Sequence, residues 1–317
     1  MRDGMLSRIA ESLFWIGRYV ERADDTARLL DAFVHRALED PWADEDHACR
    51  TLLAILGVDP DKVPGPLDSV AAMRLLAFDD TNPTSIAGAL THARDNARGA
   101  RETLSSELWE CLNVTWQQLP EQRAEADRLG PYTFLRFVRE RCAMLSGLAD
   151  ATLSRDDGWR FLVLGRSLER ADMTARLLTV RLQGGAGAPE WSTLLTACGA
   201  HESFLRMHGA AVAPGLVAEF LLLDRQFPRS VVHALQTAED RLLELSAARE
   251  RSGTAEEGLR AIGGVRTTLE YADTTTLLDD LQGHVHRVEA ACVTASQAIA
   301  SRYFTYSAPM AWDREEG

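Results

Sequence analysis

Two windows of this chain are nearly the same. Residues 17–30 read GRYVERADDTARLL and residues 165–178 read GRSLERADMTARLL, with eleven of fourteen positions identical at an offset of 148. A weaker match follows each. Residues 78–86 (FDDTNPTSI) align with 223–231 (LDRQFPRSV), and Ala89-Leu90 with Ala234-Leu235, at an offset of 145. Self-similarity with the elements in one order is the mark of a duplicated unit. The expectation is an internally duplicated helical bundle whose halves are related by a pseudo-two-fold axis. Residues 1–153 form the first repeat and 154–317 the second, merged into one body because the break at about 154–158 is too short for a linker.

The fold class is all-α. Leu13, Ile16, Val20, Ala23, Ala27 and Leu30 recur at steps of three and four, one face of a helix, and no alternating strand run is present. Breakers cluster at Asp59 to Pro66, Asn82-Pro83, Gly130-Pro131, Gly184 to Pro189, Pro214-Gly215, Phe227-Pro228 and Gly263-Gly264. The segments between them predict helices over 6–39, 45–57, 66–78, 84–118, 131–153, 157–183, 190–208, 214–224, 228–251 and 265–304. Pro83 suits a first turn, and Asp156-Asp157 stands where an N-cap is wanted.

With 34 Lys+Arg against 47 Asp+Glu the net charge is −13. That balance repels phosphate backbones, so nucleic acid is not an expected partner; an anionic membrane is equally disfavoured. No stretch approaches the roughly 20 apolar residues of a membrane span, and no secretory signal is evident. Cys49, Cys111, Cys142, Cys198 and Cys292 are scattered and odd in number. They read as reduced, buried thiols of a cytoplasmic protein.

On a helical wheel Gly17, Glu21, Asp24 and Arg28 fall within about 60° of arc beside the apolar stripe, and Gly165, Glu169, Asp172 and Arg176 repeat them. Arg18, Arg22 and Asp25 fall on the outward side; Asp25 becomes Met173 in the second copy, and Arg166 and Arg170, the matches of Arg18 and Arg22, are counted with them among the candidate binding residues. A glycine inside a helix costs about 1 kcal/mol relative to Ala, and is kept where another backbone comes close. Asp24–Arg28 and Asp172–Arg176 are ordinary i,i+4 pairs. Glu21 and Glu169 have only an acidic neighbour one turn away, so each needs a counter-group.

Three counter-groups would serve. The first, and favoured, is an arginine from the helix over 84–118, which offers Arg94, Arg98 and Arg101 and an internal Arg98–Glu102 pair. Such a buried network is weak evidence of function. The second is a hard cation such as Mg²⁺ held by Glu21, Asp24, Glu169 and Asp172, although the Glu-x-x-His element of di-iron bundles is missing. The third is a polar pocket for a substrate amine or peptide. Glu21 and Glu169 are then the candidate catalytic carboxylates, if burial raises their pKa. Phosphate-binding loops, a nucleophile elbow and zincin histidine spacing are all absent.

Met5-Leu6-Ser7-Arg8 leading into Leu13-Phe14-Trp15-Ile16-Gly17-Arg18-Tyr19-Val20-Glu21-Arg22-Ala23 resembles the start of the bacterial alpha-E domain family. Ala93 to Arg98 through Glu107-Leu108-Trp109-Glu110-Cys111-Leu112-Asn113 is similar to its middle motif, and Leu164 to Asp172 to its second glutamate motif. The resemblance implies an all-helical protein encoded with, or fused to, a circularly permuted ATP-grasp protein, often near a transglutaminase-like protease. It further implies a setting of ATP-dependent amide-bond formation on a peptide or small molecule. The expected role is an accessory component that binds the ligase, its substrate or its product. The alternatives are a carboxylate-based, Mg²⁺-dependent enzyme acting on that product and a purely structural scaffold. A homodimer is expected only on general base rates.

Overall fold

Two helices that must approach at glycine need a setting that holds their backbones in contact. The structure, a computed structural model, describes residues 2–39, 44–63, 65–183, 189–247 and 256–304. Among these residues it is helical throughout, without a strand. The helices are α1 (Arg2–Glu39), α2 (Glu45–Ile55), α3 (Ser69–Met73), α4 (Ile86–Gly99), α5 (Ser106–Leu129), α6 (Tyr132–Thr152) and α7 (Asp157–Gln183). They continue as α8 (Trp191–Ala197), α9 (His201–His208), α10 (Pro214–Leu223), α11 (Val231–Ala247), α12 (Glu257–Glu270), α13 (Thr274–Asp279) and α14 (Leu281–Tyr303).

α1 and α7 form the centre. At their crossing a Cβ on Gly17 would fall inside the contact shell of the Leu162 carbonyl, and a Cβ on Gly165 inside that of Phe14. The contact is reciprocal: Leu162 stands to Gly165 as Phe14 stands to Gly17. Close backbone approach, expected from the glycines, is what they permit. Around this pair α1 lies against α4, α6 and α8, while α7 lies against α11, α14 and α2. α5 covers α4 and α6, and α12 covers α11 and α14. Buried apolar side chains from α1 to α14 join in one hydrophobic cluster. No helix among the described residues is long and apolar enough to cross a membrane.

Several predicted boundaries shift. The long helix over 84–118 is two helices. α4 starts at Ile86, with Ser85 Oγ accepting from Gly88 N–H at 2.9 Å, so Pro83 lies ahead of it. It ends at Gly99; a 3-10 turn over Arg101–Thr103 follows, and Ser105 caps α5 by accepting from Leu108 N–H at 3.1 Å. α5 then carries Pro120 in its interior and runs on to Leu129. The segment 190–208 likewise splits into α8 and α9 at Gly199, whose φ of +60° ends a helix. Gly263-Gly264 is no breaker. Both lie inside α12, where a Cβ on Gly263 would meet Glu239 Oε1 at 2.8 Å, so this glycine serves the contact of α12 with α11. The α7 start is as expected, with Asp156 Oδ1 accepting from Trp159 N–H at 3.1 Å. The breakers at 184–188 and the predicted helix end at 248–251 lie outside the described residues.

Gly17→Ala or Gly165→Ala is expected to cost about 1–3 kcal/mol or more in urea unfolding, since backbone must move to admit the methyl group. Gly147, inside α6 with open space around its Cβ position, is the control; Gly147→Ala should be neutral or stabilise by up to about 1 kcal/mol. Equal effects at all three sites would contradict a backbone-contact crossing.

Candidate functional site

Four residues beyond each crossing glycine stands a glutamate, and one residue further an arginine. The crossing brings these pairs together. Arg170 Nε donates to Glu21 Oε1 at 2.7 Å, and Arg22 Nε donates to Glu169 Oε1 at 2.6 Å. Each glutamate is therefore held by the arginine of the other helix. Both are buried, with 1% and 3% of their surface exposed. Burial pushes each carboxyl up, but the arginines outweigh it. Arg170 and Arg229 hold Glu21 at about 2, and Arg18 and Arg22 hold Glu169 at about 2. Neither glutamate has the raised pKa that acid–base chemistry would need.

The arginine partners correct two expectations. Arg94 donates to Asn113 and Asp95 and lies 4.3 Å from the Trp116 ring. Arg101 lies 5.5 Å over the Trp109 ring, and Arg98 is exposed. None of the three reaches a glutamate, and the Arg98–Glu102 pair is not formed because the helix ends between them. Arg18, Arg22 and Asp25 do not face outward. With α4, α6, α7 and α8 on its sides, the middle of α1 has no fully exposed residue: Arg18 and Asp25 are buried, and Arg22 is half-buried.

Further contacts recur at both ends. Arg28 Nε donates to Asp24 Oδ2 at 2.9 Å, and Arg176 Nε to Asp172 Oδ2 at 3.0 Å. A Cβ on Gly199 would sit 2.8 Å from Arg28 Nη1, and one on Gly57 would sit 3.2 Å from Arg176 Nη1. Cys142 lies by Glu21 and Asp24, and Cys292 by Glu169 and Asp172. All five cysteines are buried and free, and burial raises the pKa of each, Cys198 to about 12. Such thiols are poor nucleophiles.

The two ends differ in what completes them. At Glu169 both oxygens are engaged, because Arg18 Nε donates to Oε2 at 2.6 Å while its Nη1 donates to Ser296 Oγ at 2.8 Å. Arg166 stands 148 residues after Arg18 but turns to Asp150, at 3.4 and 3.5 Å. At Glu21 the second arginine is Arg229, which comes from the turn before α11 and reaches Glu21 Oε1 at 2.8 Å, together with Asp24 and Asp25. At the positions that align with Arg229 and Asp25 the sequence has Thr84 and Met173, so only this end has the pair.

Beside Glu21 lies a cavity of about 260 Å³, lined among others by Asp24, Arg28, Ser146, Arg170 and Arg229. Asp24 Oδ1 and Asp25 Oδ2 are buried without a hydrogen-bond partner. Burial raises Asp25 well above the usual carboxylate range; Arg229 opposes this, and Glu21 and Asp24 add to it. Glu21, Asp24 and Asp25 are the one set of three acidic side chains among the described residues that converges to metal-ligand spacing. Arg229 bonds all three. The four-carboxylate set of Glu21, Asp24, Glu169 and Asp172 does not assemble.

Glu169→Gln should destabilise the fold by about 3 kcal/mol or more at neutral pH, because the buried Arg18 and the half-buried Arg22 guanidiniums lose their counter-charge. A carboxyl held at about 2, below its unfolded value of about 4.3, stabilises fully above that value. The contribution fades as pH falls toward 2. The stability gap between wild type and Glu169→Gln should accordingly be largest at pH 6 and narrow below about pH 4.3; a gap independent of pH would refute the ion-pair account.

The chain resembles, at 30% identity over 257 residues, the uncharacterized protein Mb2597 of Mycobacterium bovis and the uncharacterized protein MT2643 of Mycobacterium tuberculosis. A third relative, Rv2567 of Mycobacterium tuberculosis, is 29% identical over the same length. Each match covers 72% of this chain but 29% of the relative, so the chain spans less than a third of their length. No solved structure matches. A family model described as a predicted alpha-helical domain with a conserved ER motif matches residues 5–304, and the Glu21-Arg22 and Glu169-Arg170 pairs are two such dipeptides. The chain belongs to this Alpha-E family.

Proposed function

We propose that the chain is the binding component of an ATP-grasp amide-ligase system, and that it takes its ligand in the cavity beside Glu21. The observation that carries the binding reading is Asp24. Its carboxylate lines the cavity, is buried, and leaves Oδ1 without a partner. A buried acceptor left unmade costs about 1–3 kcal/mol, which a bound donor would recover. The amide-ligase setting rests on the family resemblance. The greater length of the mycobacterial relatives fits a unit that works beside other domains. A circularly permuted ATP-grasp protein is the proposed partner, in the cytoplasm, where five free thiols stay reduced.

In this reading residues 1–153 and 154–317 are copies of one unit about a pseudo-two-fold axis through the Gly17–Gly165 crossing. The reciprocal helix neighbours and contacts of α1 and α7 support it. Duplication gave two equivalent charged ends. The Glu169 end, filled by Arg18, holds the halves together, and the Glu21 end diverged by acquiring Asp25 and Arg229. A carboxylate-based enzyme is less well supported, since both glutamates stay ionised. An Mg²⁺ site is less well supported too, because Arg229 already bonds the converging carboxylates.

The double substitution Asp25→Met with Arg229→Thr rebuilds the Glu21 end in the pattern of the other. It removes one buried acid and one buried base together, so folding should survive, with circular dichroism unchanged. Mass spectrometry of cells lacking the chain, against complemented cells, identifies the amide product. Wild type should restore that product and co-purify with the ATP-grasp protein; the double variant should fold but fail to restore the product. Full restoration by the double variant would overturn a functional role for the cavity.

A further inference from the structure

The filled end shows what the open end lacks. At the Glu169 end one guanidinium bridges two acceptors, Glu169 Oε2 and Ser296 Oγ. Ser296 lies four residues after Cys292, as Ser146 lies four residues after Cys142, and both cysteines border the glutamate of their end. Glu21 and Ser146 are thus the counterparts of the pair that Arg18 bridges, and both line the cavity. Arg170 and Arg229 share Oε1 of Glu21, and among the described residues no hydrogen bond reaches its Oε2 or the Ser146 hydroxyl. Asp24, whose buried Oδ1 has no hydrogen-bond partner, also lines the cavity. Among hydrogen-bonded groups, the Glu169 end sets three guanidiniums (Arg18, Arg22, Arg176) against two carboxylates. The Glu21 end sets three (Arg28, Arg170, Arg229) against three.

Resting on the pocket reading above, we propose that the cavity takes the guanidinium of an arginine-like side chain, from a peptide or small molecule. It would bridge Glu21 and Ser146 as Arg18 bridges Glu169 and Ser296, with Asp24 as a third acceptor. A planar fork of N–H donors matches a carboxylate better than a point charge does. The volume of about 260 Å³ admits such a head with part of its aliphatic arm. Arg166 is the chain's own competitor. It is placed to make the Arg18 contact but is turned to Asp150 at long distances.

The test is calorimetric titration of the full chain with N-acetyl-arginine amide, its neutral isostere N-acetyl-citrulline amide, and succinate. The arginine probe should bind saturably and the citrulline probe about tenfold or more weaker, from loss of charge-assisted hydrogen bonds. Glu21→Gln should weaken the arginine probe. Since that variant risks the fold, Ser146→Val, at a half-buried cavity wall, should weaken it several-fold with unfolding unchanged. Arg166→Ala should leave binding intact or tighter. Succinate binding lost in Arg166→Ala would overturn the guanidinium assignment and make the site an anion site, as would equal binding of arginine and citrulline probes. If no probe binds while Asp25→Met with Arg229→Thr still abolishes the product, the ligand class is wrong and the pocket reading stands. If no probe binds and that variant restores the product, both fall.

Discussion

Everything at the centre of this molecule depends on two backbones touching where side chains are missing. The crossing of α1 and α7 at Gly17 and Gly165 sets the two helices at a separation that ordinary residues would forbid. One helical turn on, that separation is short enough for the arginine of one Glu-Arg pair to reach the glutamate of the other. Because each arginine serves the opposite helix, the ion pairs act as a cross-brace between the two halves of the sequence. A buried carboxylate would otherwise lose its charge or unfold its surroundings. Here burial and guanidinium oppose each other at both glutamates, and guanidinium wins.

The same brace explains how one end became different. At the Glu169 end a second arginine, Arg18, completes the carboxylate and ties it to Ser296 on α14. At the Glu21 end the matching arginine is turned away, and Arg229 reaches in from the turn before α11. A guanidinium cannot be buried without a matching acid at little cost, and Asp25 accompanies it. The result is a network of three guanidiniums and three acidic side chains in which Asp24 Oδ1 and Asp25 Oδ2 have no hydrogen-bond partner, with a cavity beside Glu21 and Asp24.

Much of this was legible in the residues. The repeat, the helical periodicity and the two interior glycines point to an all-helical chain with a close helix crossing, and the glutamates announce a need for counter-charge. What misled was the wheel. It assumes one inward face, whereas α1 packs against helices on several sides, so Arg18, Arg22 and Asp25 look solvent-facing while two of them are buried and Arg22 is half-buried. The partners are not Arg94, Arg98 or Arg101; Arg22 and Arg170 stand next to the glutamates in sequence, and each serves the glutamate of the other helix. Arg229 lies 204 residues from Asp25 and no local pattern points to it. One signal was present. Among the positions at which the aligned windows differ, Asp25 against Met173 and Arg229 against Thr84 replace a charged pair by a neutral one. The break after Gly99 was missed because polar helix and polar turn share a composition there.

The central claim is that each glutamate is bound by the arginine of the other helix. A double-mutant cycle measures it directly, with urea unfolding of Arg22→Met, Glu169→Gln and the pair, set against the same cycle for Glu21 and Arg22. The account predicts a coupling of about 1–3 kcal/mol between Arg22 and Glu169, and close to none between the sequence neighbours Glu21 and Arg22. Strong coupling within the dipeptide and none across the crossing would contradict it.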